Sequence, residues 1–142
     1  MTSFAGGCLC GRVRYRGKVA PIFTGVCHCR NCQRFTGYAF ETFLGMPKAE
    51  VEIEGELRTY QDTGDSGRTV DRRFCPNCGS GVATEVAVMP DLVMLLAGTL
   101  DDPSWVRPAA EIWCSSAQPW VALGGERKRF DRQPPPRGGA GG

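Results

Sequence analysis

Seven of the eight cysteines in this 142-residue chain fall into three tight clusters whose spacing suits metal binding. The clusters are Cys8 with Cys10, Cys27 with Cys29 and Cys32, and Cys75 with Cys78. A structural zinc ion takes four such ligands, whereas a zinc ion with three protein ligands keeps an open position for chemistry. Seven cysteines therefore predict one closed site and one reactive site.

The local sequence of two clusters fits metal knuckles. The two-residue gap between Cys75 and Cys78 lets both sulfurs face one ion, and Gly79 permits the positive φ that often follows the second ligand. Cys8 and Cys10 would share one face of an extended strand, because side chains alternate along a strand. Both pairs are therefore candidates for the same closed site.

Spacing alone does not decide which clusters share an ion. Cys75 and Cys78 could combine with Cys29 and Cys32 in a two-knuckle zinc ribbon, or with the first cluster instead. The lone Cys114 is expected to be a packed or half-exposed strand residue and not an eighth ligand. His28 is the one histidine, and we expect it to point away from the metal that Cys27 and Cys29 face.

Composition indicates one modest domain in a reducing compartment. The chain is 42% hydrophobic and 23% charged with a net charge of +2, and it has no basic run long enough to predict nucleic-acid binding. No signal peptide is evident, and the longest apolar run, 92–97, is far below the ~20 residues of a membrane span. We therefore expect a cytoplasmic protein without a membrane partner, in which cysteines bind metal and do not form disulfides.

Short alternating segments separated by glycine and proline predict a mainly β fold. Only residues 31–36 and 101–106 are expected to form helical turns. We predict one domain over residues 1–132 and a disordered Pro/Gly-rich tail over 133–142. The expected strands cover residues 12–16, 38–44, 51–54, 57–61, 69–74, 81–89, 92–99 and 111–114.

The motifs together resemble the glutathione-dependent formaldehyde-activating (GFA) family, whose relatives include centromere protein V. The similarity is carried, in the family's order, by GCLCGRVRY at 7–15, CHCRNCQRFTG at 27–37, RFCPNCGS at 73–80, GTLDDP at 98–103 and PW at 119–120. The resemblance implies a β-tent fold of packed antiparallel sheets stabilised by two Zn²⁺ ions. It assigns Cys8, Cys10, Cys75 and Cys78 to a structural zinc, and Cys27, Cys29 and Cys32 to a zinc at the active site.

The resemblance also implies an activity and its partners. A three-cysteine zinc would bind the thiol of glutathione, and the ionised thiol would add to formaldehyde to give S-hydroxymethylglutathione, the reaction of a carbon–sulfur lyase in reverse. Arginine forks suit glutathione's carboxylates, and we expect Arg34 to bind one while Thr36 and Gly37 shape the pocket floor. The other basic candidates are Arg30, Lys48, Arg72 and Arg73.

Two alternatives remain at this point. The domain could be a non-catalytic zinc β-domain that binds a protein or a small thiol, or it could act on another pair of thiol and electrophile. The three-cysteine cluster favours the enzyme, because a purely structural zinc would be expected to have four ligands.

Overall fold

A computed structural model describes residues 3–134, with eleven short strands, one α-helix and three 3₁₀ turns over that range. The predicted tail at 133–142 lies outside the described residues except for its first two positions. The strands are β1 Phe4–Gly7, β2 Arg14–Gly17, β3 Phe23–Cys27, β4 Glu41–Pro47, β5 Val51–Glu54, β6 Arg58–Thr63, β7 Thr69–Phe74, β8 Gly81–Val86, β9 Leu92–Leu96, β10 Ala110–Ile112 and β11 Lys128–Arg129. The helix is α1 Arg30–Thr36, and the 3₁₀ turns are Lys48–Glu50, Ala97–Thr99 and Cys114–Ser116.

The strands form two sheets, which confirms the predicted mainly β fold. The small sheet has the order β1-β2-β5, and the large sheet has the order β11-β10-β3-β4-β9-β8-β7-β6. Neighbours are antiparallel except at one end of the large sheet, where β10 runs parallel to both β3 and β11. No helix among residues 3–134 has the length and hydropathy that crossing a membrane requires.

The core lies between the small sheet and the middle of the large one. Tyr15 of β2 packs in one buried cluster with Leu44 of β4, Val82 of β8 and Leu95 of β9. The Tyr15 hydroxyl is also hydrogen-bonded to Thr99 Oγ1 at 2.6 Å, which satisfies the one polar atom that this ring carries into the core. Hydrophobic burial and this bond fix the two sheets relative to each other.

The sequence located most elements and missed others. Strands 51–54 and 69–74 match β5 and β7, and the helical turn at 31–36 lies within α1. The helical turn expected at 101–106 is wrong, because the Asp102 side chain accepts hydrogen bonds from the backbone and hydroxyl of Ser104 and forms a turn instead. The strand expected at 111–114 ends earlier, since Trp113 takes a left-handed φ of 57°.

Deleting part of the buried core should lower stability without touching the cysteines. Leu44→Ala removes a fully buried side chain at the centre of the large sheet and should cost about 2–5 kcal/mol of unfolding free energy. Urea denaturation measures the change. The matched control is Ile22→Ala, whose side chain is 54% exposed and which should change the stability by less than about 1 kcal/mol. Equal losses in the two variants would contradict the assignment of the core.

Candidate metal centres and the adjoining cavity

The first and last cysteine clusters meet between the two sheets. Cys8 and Cys10 follow β1, Cys75 and Cys78 follow β7, and their four sulfurs lie within 4.8 Å of one another. The Sγ of Cys10 is 3.6 Å from that of Cys8 and 3.8 Å from that of Cys75. A tetrahedral ion with Zn–S bonds of about 2.3 Å requires sulfurs about 3.8 Å apart. The four-cysteine cluster therefore fits a closed zinc site.

Backbone amides and a hydroxyl surround these sulfurs. The amide of Val13 donates to Cys8 Sγ at 3.2 Å, and the amides of Asn77 and Cys78 approach Cys75 Sγ at 3.4 and 3.5 Å. A side-chain hydrogen bond with Ser80 lowers the pKa of Cys78 to about 5. Such donors stabilise thiolate over thiol, which is the form that a metal binds.

The middle cysteines form a second cluster at the junction of β3 and α1. Cys27 is the last residue of β3, Cys29 caps the helix by accepting from the amide of Cys32 at 3.3 Å, and Cys32 lies in the first turn. Their three sulfurs lie within 4.8 Å of one another. The connection from β3 to α1 thus brings three thiols together. Among residues 3–134 no other cysteine belongs to this three-cysteine cluster.

The protonation pattern of the three-cysteine cluster shows how strongly its thiols interact. Hydrogen bonds from Cys27 and Cys32 lower the pKa of Cys29 to about 2, against the opposing effect of burial. The same interaction raises the pKa of Cys27 to about 12, because its proton is shared with the Cys29 sulfur. Three soft sulfur donors this close to one another are a suitable donor set for zinc.

A buried arginine touches the three-cysteine cluster. Arg72 of β7 is 7% exposed, and its Nη1 lies 3.7 Å from Cys32 Sγ. Its Nε donates to Asp62 at 3.0 Å, and its guanidinium lies 5.5 Å from the centre of the Phe35 ring. Arg72 therefore places a fixed positive charge beside the sulfurs, which offsets the negative charge that three thiolates bring.

A buried carboxyl group also adjoins the three-cysteine cluster. Glu41 of β4 is opposite Cys27 in the sheet, is 4% exposed, and has one carboxyl oxygen without a hydrogen-bond partner among the described residues. Burial raises the pKa of Glu41 to about 7, and the positive charge of Arg72 opposes the shift. Sequence reasoning missed Glu41, although a lone acid in the aromatic-rich segment 38–44 is a usable signal.

Of the three residues predicted to contact glutathione, one lines a cavity and two lie at the end of α1. Arg34 lines a cavity of about 310 Å³ between α1, β6 and β7, together with Tyr60, Asp62 and Arg72. Thr36 and Gly37 do not line it. The Thr36 hydroxyl donates to the Cys32 carbonyl at 3.0 Å, and Gly37 ends the helix with φ 75°.

The other basic candidates already have partners. Arg73 and Lys48 both bind Glu85, at 2.9 and 3.1 Å, on the face of the sheet away from the cavity lining. Arg30 donates to the Gln33 side chain at 2.5 Å. Of the basic residues named from the sequence, Arg34 and Arg72 are the two that line the cavity.

His28 points away from the three-cysteine cluster, as the alternation of side chains predicts. Its Nε2 is 2.8 Å from Glu111 Oε1, and Cys114 completes a separate group with these two residues. Both carboxylate oxygens of Glu111 accept from arginines, so this group has no free carboxylate for a cation. The Cys114 thiol lies 3.7 Å from the carbonyl of Glu111 and is not part of the three-cysteine cluster.

The sequence matches the family model described as "Glutathione-dependent formaldehyde-activating enzyme" over residues 3–116. The chain belongs to the GFA family. A crystal structure of a Rhodobacter sphaeroides protein is similar, with a TM-score of 0.56, 20% sequence identity, and coverage of 73% of this chain and 91% of that one. At this identity the likeness shows the fold alone. No match was found among curated proteins.

The structure groups the cysteines in the same way as the family resemblance of the sequence implies. The structure brings Cys8 and Cys10 to Cys75 and Cys78, so the alternative ribbon with the middle cluster does not form among the described residues. The cysteine clusters of this GFA domain are able to bind metal ions. The residues that sequence reasoning missed, Glu111 with Arg127 and Arg129, come together only through the pairing of β10 with β3 and β11.

The two clusters should respond differently to loss of one cysteine. Cys75→Ser should abolish stable folding, because small structural zinc sites contribute about 10 kcal/mol or more of binding free energy to folding. Cys29→Ser should leave a folded protein with one metal equivalent fewer. Metal analysis and thermal denaturation of the two purified variants measure these outcomes. Equal collapse of both variants would contradict a division into structural and reactive centres.

Proposed function

We propose that this GFA-family protein is a zinc-dependent carbon–sulfur lyase that binds glutathione and promotes its addition to formaldehyde, giving S-(hydroxymethyl)glutathione. The observation that carries the proposal is the three-cysteine cluster, which offers three sulfurs to one ion whereas the other cluster offers four. The proposal includes two Zn²⁺ ions and a cytoplasmic location, where free thiols persist.

The residues at the three-cysteine cluster fit a reactive zinc. Cys27, Cys29 and Cys32 would hold it and leave one coordination position for a ligand. Zinc at such a position lowers the pKa of a bound thiol, and a thiolate is the nucleophile toward an aldehyde carbon. The protein contributes the fixed sulfurs and the adjacent charge of Arg72, which offsets the charge of an additional anionic sulfur.

The reaction is a balanced addition. The sulfur of glutathione forms a bond to the carbon of formaldehyde, the carbonyl π bond breaks, and the proton of the thiol ends on the new hydroxyl oxygen. No oxidant or reductant is required. Because thiols add readily to formaldehyde in water, the main contribution of the protein would be to bind and orient the two reactants.

The cavity beside Arg72 is the proposed position for one carboxylate arm of glutathione. Arg34 is exposed at its rim and has no ion pair among residues 3–134, so its guanidinium is available to a carboxylate. Asp62 is already engaged by Arg72 and by Asn31 at 2.9 Å, so the charge left uncompensated at the cavity is positive. Thr36 and Gly37 would contribute indirectly, by ending the helix that carries Arg34.

Glutathione should change the metal environment at one centre only. In the Co²⁺-substituted protein, glutathione titration should alter the sulfur-to-metal charge-transfer absorption and raise the melting temperature, because a ligand that binds the folded state stabilises it. The control is Cys29→Ser, which should not respond. An unchanged spectrum and an unchanged melting temperature at millimolar glutathione would contradict the proposed activity. Such a result would favour a non-catalytic zinc domain.

Removal of the Arg34 charge should weaken binding of glutathione but not of an uncharged thiol. We expect Arg34→Ala to lower affinity for glutathione about 10- to 100-fold, since hydrogen bonds to charged groups contribute about 1.5–3 kcal/mol. β-Mercaptoethanol, which is uncharged and has no carboxylate, should bind as before. Calorimetry checks both ligands, and Arg16→Ala, at an exposed arginine on the small sheet, is the charge-matched control. Unchanged glutathione affinity in Arg34→Ala would remove Arg34 from the site.

A further inference from the structure

The C-terminal segment 124–132 packs along β10. The other neighbour of β10 is β3, the strand that ends at Cys27 of the three-cysteine cluster. Strand β11 of the C-terminal segment runs parallel to β10, with Arg129 opposite Glu111. The amide of Phe130 donates to the Glu111 carbonyl at 2.9 Å, and its own carbonyl accepts from the amide of Cys114 at 3.0 Å. The family model ends at residue 116, so this C-terminal clamp is a feature that the family match does not imply.

The clamp supplies two arginines to one buried carboxylate. Glu111 is 2% exposed. Its Oε2 accepts from Arg127 Nη1 at 2.7 Å, and its Oε1 accepts from Arg129 Nη1 at 3.0 Å and from His28 Nε2 at 2.8 Å. Arg127 is fixed further by a 2.7 Å bond from its Nη2 to the carbonyl of Gly124. The carboxylate is therefore held from three sides, with one oxygen directed at the imidazole.

Hydrogen bonds fix both the main chain and the imidazole ring of His28. Its amide donates to the Ile112 carbonyl at 3.0 Å, and its carbonyl accepts from the Gln33 side chain at 2.6 Å. Its neighbours in the chain are Cys27 and Cys29, two of the three sulfur donors. A shift of His28 therefore moves both sulfurs, because a single peptide unit on each side joins its Cα atom to that of a cysteine.

We propose that Arg127 and Arg129 are positioning residues for the three-cysteine metal centre, acting through Glu111 and His28 on the two sulfurs that flank His28. The clamp holds Glu111 in place, Glu111 orients the imidazole, and the imidazole fixes the peptide that carries the sulfurs. This inference rests on the metal assignment of the proposed function but not on its thiol chemistry. Groups that orient metal ligands from behind typically change metal affinity about 10- to 100-fold when they are removed.

Metal release from the zinc-loaded, full-length protein tests the clamp. A chromogenic chelator in excess should show one release phase for each centre, and Cys29→Ser identifies the phase of the three-cysteine centre by losing it. The variants are Arg127→Ala and Arg129→Ala. Arg132→Ala is the matched control, because this arginine lies in the same segment but contacts Trp113 and Asp65 instead of Glu111.

Both clamp variants should release metal from the three-cysteine centre about tenfold faster, with the four-cysteine phase unchanged. Arg132→Ala should behave as wild type. His28→Ala should match the clamp variants, and His28→Gln should recover part of the effect, because its amide can still donate to Glu111. Should Arg127→Ala not fold, Arg129→Ala still decides, since the Arg129 side chain is 56% exposed and its removal disturbs packing least.

Equal acceleration of both phases would overturn the proposal, because it would indicate general destabilisation. Unchanged release in Arg127→Ala and Arg129→Ala would overturn it as well. Amide hydrogen exchange of residues 27–33 in Cys29→Ser, which keeps the four-cysteine metal, gives a readout that needs no metal at the three-cysteine centre. Faster exchange when Arg127→Ala or Arg129→Ala is added to this variant supports the inference. A wild-type protein that binds one metal equivalent would contradict the proposed function, while the exchange result would still decide the clamp.

Discussion

The junction of the two sheets at four cysteines is the constraint on which the rest of the structure depends. Cys8 and Cys75 are both buried and belong to the same core cluster as the apolar side chains of both sheets. The chain between them includes β2 to β7 and the whole three-cysteine cluster. A metal ion bound at this junction would close a long loop. It would then offset part of the entropy that the chain loses on folding, which a core of this size offsets only in part. The three-cysteine cluster thus lies within a loop whose ends meet at the four-cysteine cluster.

The two cysteine clusters differ most in what surrounds their sulfurs. Backbone amides and the Ser80 hydroxyl approach the four-cysteine cluster, and such groups stabilise thiolates without changing charge. Ionisable side chains adjoin the three-cysteine cluster instead, namely Arg72 and the buried Glu41. Buried ionisable groups are costly to maintain, so their presence beside the three-cysteine cluster is an argument for the reactive role proposed for it.

Local spacing predicted which residues would carry chemistry, and non-local pairing decided how they are arranged. Residues within a few positions along the chain determine the cysteine clusters, the position of α1 and the direction of His28 away from the three-cysteine cluster. The strand β3 was missed, because Phe23–Cys27 has no alternation of polar and apolar residues. Its parallel partner β10 is three residues long and lies more than 80 residues away in sequence, so no local pattern could place Glu111 against His28.

The position of Cys114, the eighth cysteine, decides whether the second cluster has three sulfurs or four. Cys114 follows Trp113, whose positive φ ends β10 and turns the chain away from the three-cysteine cluster. Its sulfur faces the carbonyl of Glu111, whose carboxylate is committed to two arginines and an imidazole. A ligand role would require Cys114 to leave the hydrogen bond of its amide to Phe130. The same hydrogen bond belongs to the C-terminal clamp, so residues 124–132 hold Cys114 on the side of Glu111. The three-cysteine cluster is left without a fourth sulfur among the described residues.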